Sequence, residues 1–174
     1  SLLPSLQIAY HTYGKLNTKK NNVIWVCHAL TANSDVFNWW GGLFGTGKIF
    51  VENKYFIVCA NILGSCYGSS GPHSVGSGQA KYYRTFPAVT IRDMVNAHIL
   101  LRKHLGIEKI AIGAGGSMGA YQLLEWGVME PKLFEKQVLM NTSARESAWG
   151  IAIHTAQRLA IEADATWKDN SDQA

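Results

Sequence analysis

The chain predicts an α/β domain: a mostly parallel β-sheet with helices along its flanks. Three observations carry this. Apolar runs of strand length alternate with segments of helical period, the order that a parallel sheet with crossover helices requires. Two of those runs, Val23-Ile24-Trp25-Val26-Cys27 and Tyr55-Phe56-Ile57-Val58-Cys59-Ala60, are apolar without alternation, as expected of strands covered on both faces. A third run, Lys109-Ile110-Ala111-Ile112, leads through Gly113-Ala114-Gly115-Gly116-Ser117-Met118-Gly119 into a helical pattern starting at Ala120.

Taken in order, Leu6 to Gly14 alternates apolar and polar residues and reads as a half-buried strand in an antiparallel pair at a sheet edge. Lys15 to Asn22 is a polar turn before the Val23 strand. That strand ends in a loop of small and polar residues, His28 to Ser34. Phe37 to Phe44, aromatic and glycine-rich, is expected to form a short helix or irregular turn. After the Tyr55 strand comes a long loop, Asn61 to about Pro87. Its aromatic residues (Tyr67, Tyr82, Tyr83, Phe86) favour a packed loop. Thr90 is placed to cap a helix, with Asp93 completing an acidic capping box and Gly106 ending the helix. Pro131 interrupts the helix that follows Ser117 near its end. Gln137 to Asn141 is a further strand, and a helical pattern runs from Ser147. The tail from Lys168 is polar and expected to fray. The expected division is a core over residues 1–146 and the start of a helical cap over 147–174.

Composition narrows the function. Hydrophobic residues are 47% of 174 and charged residues 16%, the balance of a folded globular chain. The net charge of +4 comes from scattered lysines and arginines without a stripe, which argues against nucleic acid. No apolar run approaches the ~20 residues of a membrane helix, and the start, at Ser1 and not a methionine, carries no signal-peptide pattern and is expected to be trimmed. Cys27 and Cys59 lie inside strand-like runs and are expected to be buried free thiols. With Cys66 they make an odd number, which fits a reducing cytoplasm. No cysteine or histidine spacing suggests a metal.

Strand, then G-x-S-x-G, then helix is the context of a nucleophile elbow. Gly115 and Gly119 let strand and helix pass close together, and Gly116 is expected to loosen the turn further. Ser117 would present its hydroxyl at a helix N-terminus, which favours developing negative charge. Such a serine needs a general base and two oxyanion donors. The donors expected are the backbone N–H of Met118 and one from the loop after the Val23 strand, with Leu30 the candidate. His28 precedes the serine and is read as shaping that loop by hydrogen bonding. His154 is the one histidine after Ser117, on a helical pattern, and reads as structural or solvent-facing. Asp164, Asp169 and Asp172 have no histidine placed before them. The catalytic triad is therefore incomplete in this chain, as in a polypeptide cut before its last strands.

Four stretches carry a family resemblance: His28-Ala29-Leu30-Thr31; Asn61 to Pro72; Gly115 to Gly119 with Gln122 and Leu124-Glu125-Trp126; and Thr142-Ser143-Ala144-Arg145 with Ser147-Ala148-Trp149. With them the chain resembles the N-terminal half of the homoserine O-acetyltransferases, enzymes of methionine biosynthesis. The resemblance implies an α/β-hydrolase fold, truncated here before its C-terminal strands. It implies Ser117 as the nucleophile that takes an acyl group from acyl-CoA and passes it on, with acetyl-CoA and L-homoserine the leading pair and a succinyl donor or a serine acceptor left open. It implies Leu30 and Met118 N–H as the oxyanion hole, and Arg158 as the cap residue that holds the amino-acid carboxylate. No permanently bound cofactor or metal, a homodimer and a cytoplasmic location are implied as well. The family usually has a glycine where this chain has Ala120.

Two other readings stay open: a serine esterase on the same scaffold, and a catalytically incomplete fragment that folds with a partner half. The aromatic residues Phe37, Trp39, Trp40, Tyr67 and Tyr82 are candidate walls for a site that keeps water from an acyl-enzyme, with plain core the commoner role for each.

Overall fold

A computed structural model describes residues 3, 5–76 and 78–169. Five strands form one sheet: β1 Tyr10–Tyr13, β2 Val23–Cys27, β3 Phe56–Ala60, β4 Ile110–Gly116 and β5 Phe134–Met140. Their order is β1-β3-β2-β4-β5. β1 runs antiparallel to β3 and every other pair is parallel. The helices are α1 Val36–Trp40, α2 Ile91–His104, α3 Met118–Met129 and α4 Ala148–Glu162.

The pleat divides β2 between two cores. Val23, Trp25 and Cys27 face one side with Val58 and Ala60 of β3, where Val95 and Leu101 of α2 and Leu123 and Trp126 of α3 cover them. Ile24, Val26, Ile57 and Cys59 face the other, against Val36, Phe50, Trp39, Trp40 and Phe44. Helices α2 and α3 therefore lie on one face, and an aromatic segment covers the opposite one. This is where Trp39 and Trp40 go. They are partly buried and pack against the core, and none of the five candidate wall aromatics lines the cavity described below.

Local chemistry sets the boundaries. Thr90 and Asp93 form the expected capping box of α2. The aromatic helix starts one residue earlier than expected, at Val36, and closes in a 3-10 turn, Gly41–Leu43. The first strand is shorter than its alternation suggested, and Tyr10, His11 and Thr12 are exposed. Residues 7–9 instead bond to the loop after β3: Ser70 N–H donates to Gln7 O, and Gln7 N–H to Ser70 Oγ. That loop turns away through Gly64 and Gly68, both at positive φ, so it offers no regular partner strand.

Ser147 caps α4, its Oγ accepting from Gly150 N–H at 3.1 Å. No residue of α4 is buried, and Trp149, Ile151, Leu159 and Ile161 are exposed. The 3-10 turn after α4, Ala165–Lys168, touches the long loop, where the Arg84 guanidinium sits 5.1 Å from the centre of the Trp167 ring. Of the tail expected to fray, residues 170–174 lie outside the described residues. No helix among the described residues is long and apolar enough to cross a membrane.

Candidate active site

Ser117 joins β4 to α3 at φ 51°, ψ −122°, a backbone conformation that residues with a Cβ rarely adopt. Three contacts hold it there. Its N–H donates to Met140 O at 2.9 Å, and its carbonyl accepts from Ala120 and Tyr121 N–H. A serine at a helix N-cap commonly spends its hydroxyl on the first turn. Ser117 makes no such bond and is exposed, so its Oγ is left for other chemistry.

The glycines divide sharply. A Cβ on Gly119 would stand 2.0 Å from Cys27 O and 2.8 Å from His28 O. One on Gly115 would stand 2.8 Å from the Gly119 carbonyl carbon. These positions bring α3 against the end of β2. Gly116 has only Met140 O within reach, at 4.0 Å, and its φ is not in the left-handed region. The expected loosening by Gly116 is thus not a steric need. Ala120 is fully buried.

Because Gly119 packs on Cys27 and His28, the elbow lies beside the loop that leaves β2. A cavity of about 240 Å³ opens there, with Leu30, Ile62, Phe86, Met94 and Met118 among its walls. The two residues expected to supply oxyanion donors therefore share one mostly apolar cavity. Met118 is the first residue of α3, whose first N–H groups have no partner inside the helix. Leu30 turns its side chain outward, 71% exposed.

His28 is buried, and both its ring nitrogens are occupied. Ile62 N–H donates to Nε2 at 3.1 Å, which leaves Nδ1 to donate to Ala29 O at 2.8 Å. Burial holds it below the usual histidine range, so it is neutral. Neither nitrogen is open to take a proton from Ser117. His154 lies on exposed α4, its Nδ1 2.9 Å from Glu146 Oε1. Asp164 accepts from Thr166 N–H and Oγ1, and that capping role lowers its pKa. Asp172 lies outside the described residues. Arg158 is exposed on α4, donates to Thr155 Oγ1 at 3.0 Å and does not line the cavity. The described residues thus bring Leu30 and Met118, the residue next to Ser117, to one cavity, and place neither Arg158 nor a histidine among its lining. Among the described residues no group of three or more His, Cys, Asp or Glu could hold a metal.

Two buried polar groups near the site were not foreseen. Asn61 Oδ1 accepts from Ser34 N–H at 2.7 Å, while its Nδ2 donates to Ser34 Oγ and to Tyr67 O. On the helix side, His98 Nε2–H donates to Gln122 Oε1 at 2.8 Å, and Gln122 Nε2 donates to Met118 O. Asn61 opens, and Gln122 lies within, stretches already marked by the resemblance. Their partners are distant in sequence, so pattern could not supply them.

A mostly parallel sheet whose interior strand β4 turns through a strained serine into a helix defines an α/β-hydrolase-type serine site. The family model described as "alpha/beta hydrolase fold" matches residues 22–174, and the chain belongs to that family. More particularly, the chain is similar to the N-terminal half of the homoserine O-acetyltransferase of Chlorobaculum tepidum, 52% identical over 168 residues. That match takes in 96% of this chain and 47% of that protein. The chain spans about half the length of the curated relatives it matches. Among solved structures, the homoserine O-acetyltransferase of Bacillus anthracis matches with a TM-score of 0.86 at 28% identity, covering 96% of this chain and 50% of that one. Esterase E22 matches with a TM-score of 0.86 at 26% identity, covering 97% and 51%.

Proposed function

We propose that the protein carrying this chain is an acyltransferase that moves an acetyl group from acetyl-CoA to the hydroxyl of L-homoserine. Ser117 is the nucleophile. A histidine from outside these residues takes the Ser117 proton as Oγ attacks the thioester carbonyl. The Leu30 and Met118 N–H groups bind the resulting oxyanion. Its collapse breaks the carbon–sulfur bond, CoA leaves as the thiol with that proton, and the acetyl group stays on Oγ. The homoserine hydroxyl then attacks, gives its proton to the same base, and leaves as the ester while Ser117 regains its proton. Arg158 holds the homoserine carboxylate once the cap is complete, by a two-pronged hydrogen bond. The start of that cap is residues 147–174. The reaction belongs to methionine biosynthesis, in the cytoplasm, by a homodimer with no permanently bound cofactor.

The observation that carries this reading is the strained, uncapped Ser117, whose neighbour Met118 shares a cavity with Leu30, in a chain 52% identical to a named homoserine O-acetyltransferase. A second reading, hydrolysis of the acyl-enzyme by water, is favoured by the likeness to esterase E22. A catalytically incomplete fragment is the third, supported by the absence of a base beside Ser117 among the described residues.

Release of free CoA from acetyl-CoA separates them, measured on the full reading frame with and without homoserine and beside Ser117→Ala. Release that needs homoserine and Ser117 supports transfer. Release that needs Ser117 alone moves the reading to a hydrolase. No release from a folded protein rules out the acetyl donor and makes succinyl-CoA the next substrate to test.

A further inference from the structure

The loop from His28 to Ser34 carries the Leu30 N–H, yet Leu30 does not anchor it, since that side chain points to solvent. The anchors are at the loop's two ends, and both come from consecutive residues of another segment. At the far end the Asn61 amide grips Ser34 through its N–H (2.7 Å) and its Oγ (2.8 Å), and is itself held by Tyr67 O (2.7 Å). At the near end Ile62 N–H donates to His28 Nε2, and His28 Nδ1–H donates to Ala29 O. Asn61, Ser34 and His28 are all buried.

The Ala29 carbonyl and the Leu30 N–H belong to one planar peptide unit. A hydrogen bond that aims the carbonyl therefore aims the N–H in the opposite direction. It also polarises the unit and strengthens the N–H as a donor, as in any chain of hydrogen bonds. An oxyanion hole works through donors aimed before the charge develops.

Resting on the acyl-enzyme reading above, we infer that Asn61 is a positioning residue of the site: with the Ile62 N–H acting through His28, it holds loop 28–34 so that the Leu30 N–H stands preformed as an oxyanion donor. Asn61 touches no reacting atom. Its effect is on the transition state, not on substrate affinity.

The test uses the full reading frame and two assays: turnover of p-nitrophenyl acetate, which needs neither CoA nor homoserine, and transfer from acetyl-CoA to homoserine. Asn61→Ala and His28→Ala are each compared with Glu130→Gln, which removes one of the two acceptor oxygens in the part-buried contact of Glu130 with Arg102 and Trp126, away from the loop. In both assays Asn61→Ala is expected to lower kcat at least ~10-fold, toward the ~100-fold loss of a whole donor. KM should stay within about threefold, the mark of an interaction made in the transition state. The double variant should be little worse than the more damaged single one, because both act through one loop. His28→Asn, whose amide can replace the Nδ1 donor, should recover part of the loss. Should Asn61→Ala not fold, His28→Ala and His28→Asn carry the same comparison.

The inference is overturned by an unchanged kcat, by a rise in KM alone, or by a loss no greater than that of Glu130→Gln at equal folded fraction. It is overturned as well by a wild-type protein that does not turn over p-nitrophenyl acetate through Ser117. If that ester is turned over but homoserine receives no acetyl group, the transferase reading falls, and the kcat of the Asn61 variant still decides this one.

Discussion

Gly119 lies against the backbone of Cys27 so closely that a Cβ there would come within 2.0 Å of the Cys27 carbonyl oxygen. The contact fixes where α3 begins relative to the end of β2, and so how near Ser117 stands to the loop bearing Leu30. No side-chain rotation could relieve such a clash, because both partners are backbone. Gly119→Ala is expected to destabilise the fold by about 3 kcal/mol or more, at the upper end for overpacking. Gly116→Ala, with open space around it, should change stability by less than about 1 kcal/mol. Urea unfolding of the two variants side by side checks the contrast, and equal midpoints would refute it.

Ser117 holds a positive φ that strains any residue with a Cβ, at a cost of ~1–3 kcal/mol. Ser117→Ala keeps that strain and Ser117→Gly removes it. Both variants lose the nucleophile. The glycine variant should nevertheless be the more stable by about 1 kcal/mol, after its extra freedom in the unfolded chain is subtracted. Thermal melts of the two variants decide this, and an alanine variant that melts higher would show an unstrained turn.

His98 is buried between Trp25 and Trp126, and burial pushes its pKa down to about 4. In the unfolded chain it titrates near 6.5. Between these values the unfolded state binds the extra proton, so stability is full above pH 6.5 and falls as the pH drops toward 4. The loss reaches about 3 kcal/mol at the low end. His28, also held down by burial, adds to the same window. His98→Gln should flatten much of this dependence. Denaturation midpoints at pH 7 and pH 5 measure it, and an identical fall in the variant would remove His98 as the cause.

Cys27 and Cys59 are buried free thiols, and burial pushes both pKa values up, so neither presents a thiolate at neutral pH. Cys66 is exposed on the loop after β3. A thiol reagent at pH 8 should label Cys66 quickly and the other two only on unfolding. Rapid labelling persisting in Cys66→Ser would contradict the packing of β2 and β3.

The elbow was legible because everything that makes it is local. A strand, a run of glycines around Ser117 and a helix follow each other within twenty residues, and a tight turn needs those residue types in that order. The strands β2, β3 and β4 and the capping box of α2 were legible for the same reason. The first strand was overread, because its alternation says nothing of whether a regular partner lies alongside. Trp39 and Trp40, readable as either site walls or core, pack against the core, and only the fold could decide, because aromatic content does not tell which face of a sheet needs covering.

By itself, then, the sequence determined the α/β architecture, the order of its elements and Ser117 at the turn, since periodicity and turn chemistry act between near neighbours. Tertiary structure alone decided which face each core residue takes and that Gly119, not Gly116, meets the backbone of β2. It also decided that Asn61 and Ile62 grip the two ends of the loop around Leu30. Those are contacts between residues far apart in the chain. They exist only once the sheet has brought the ends of its strands together.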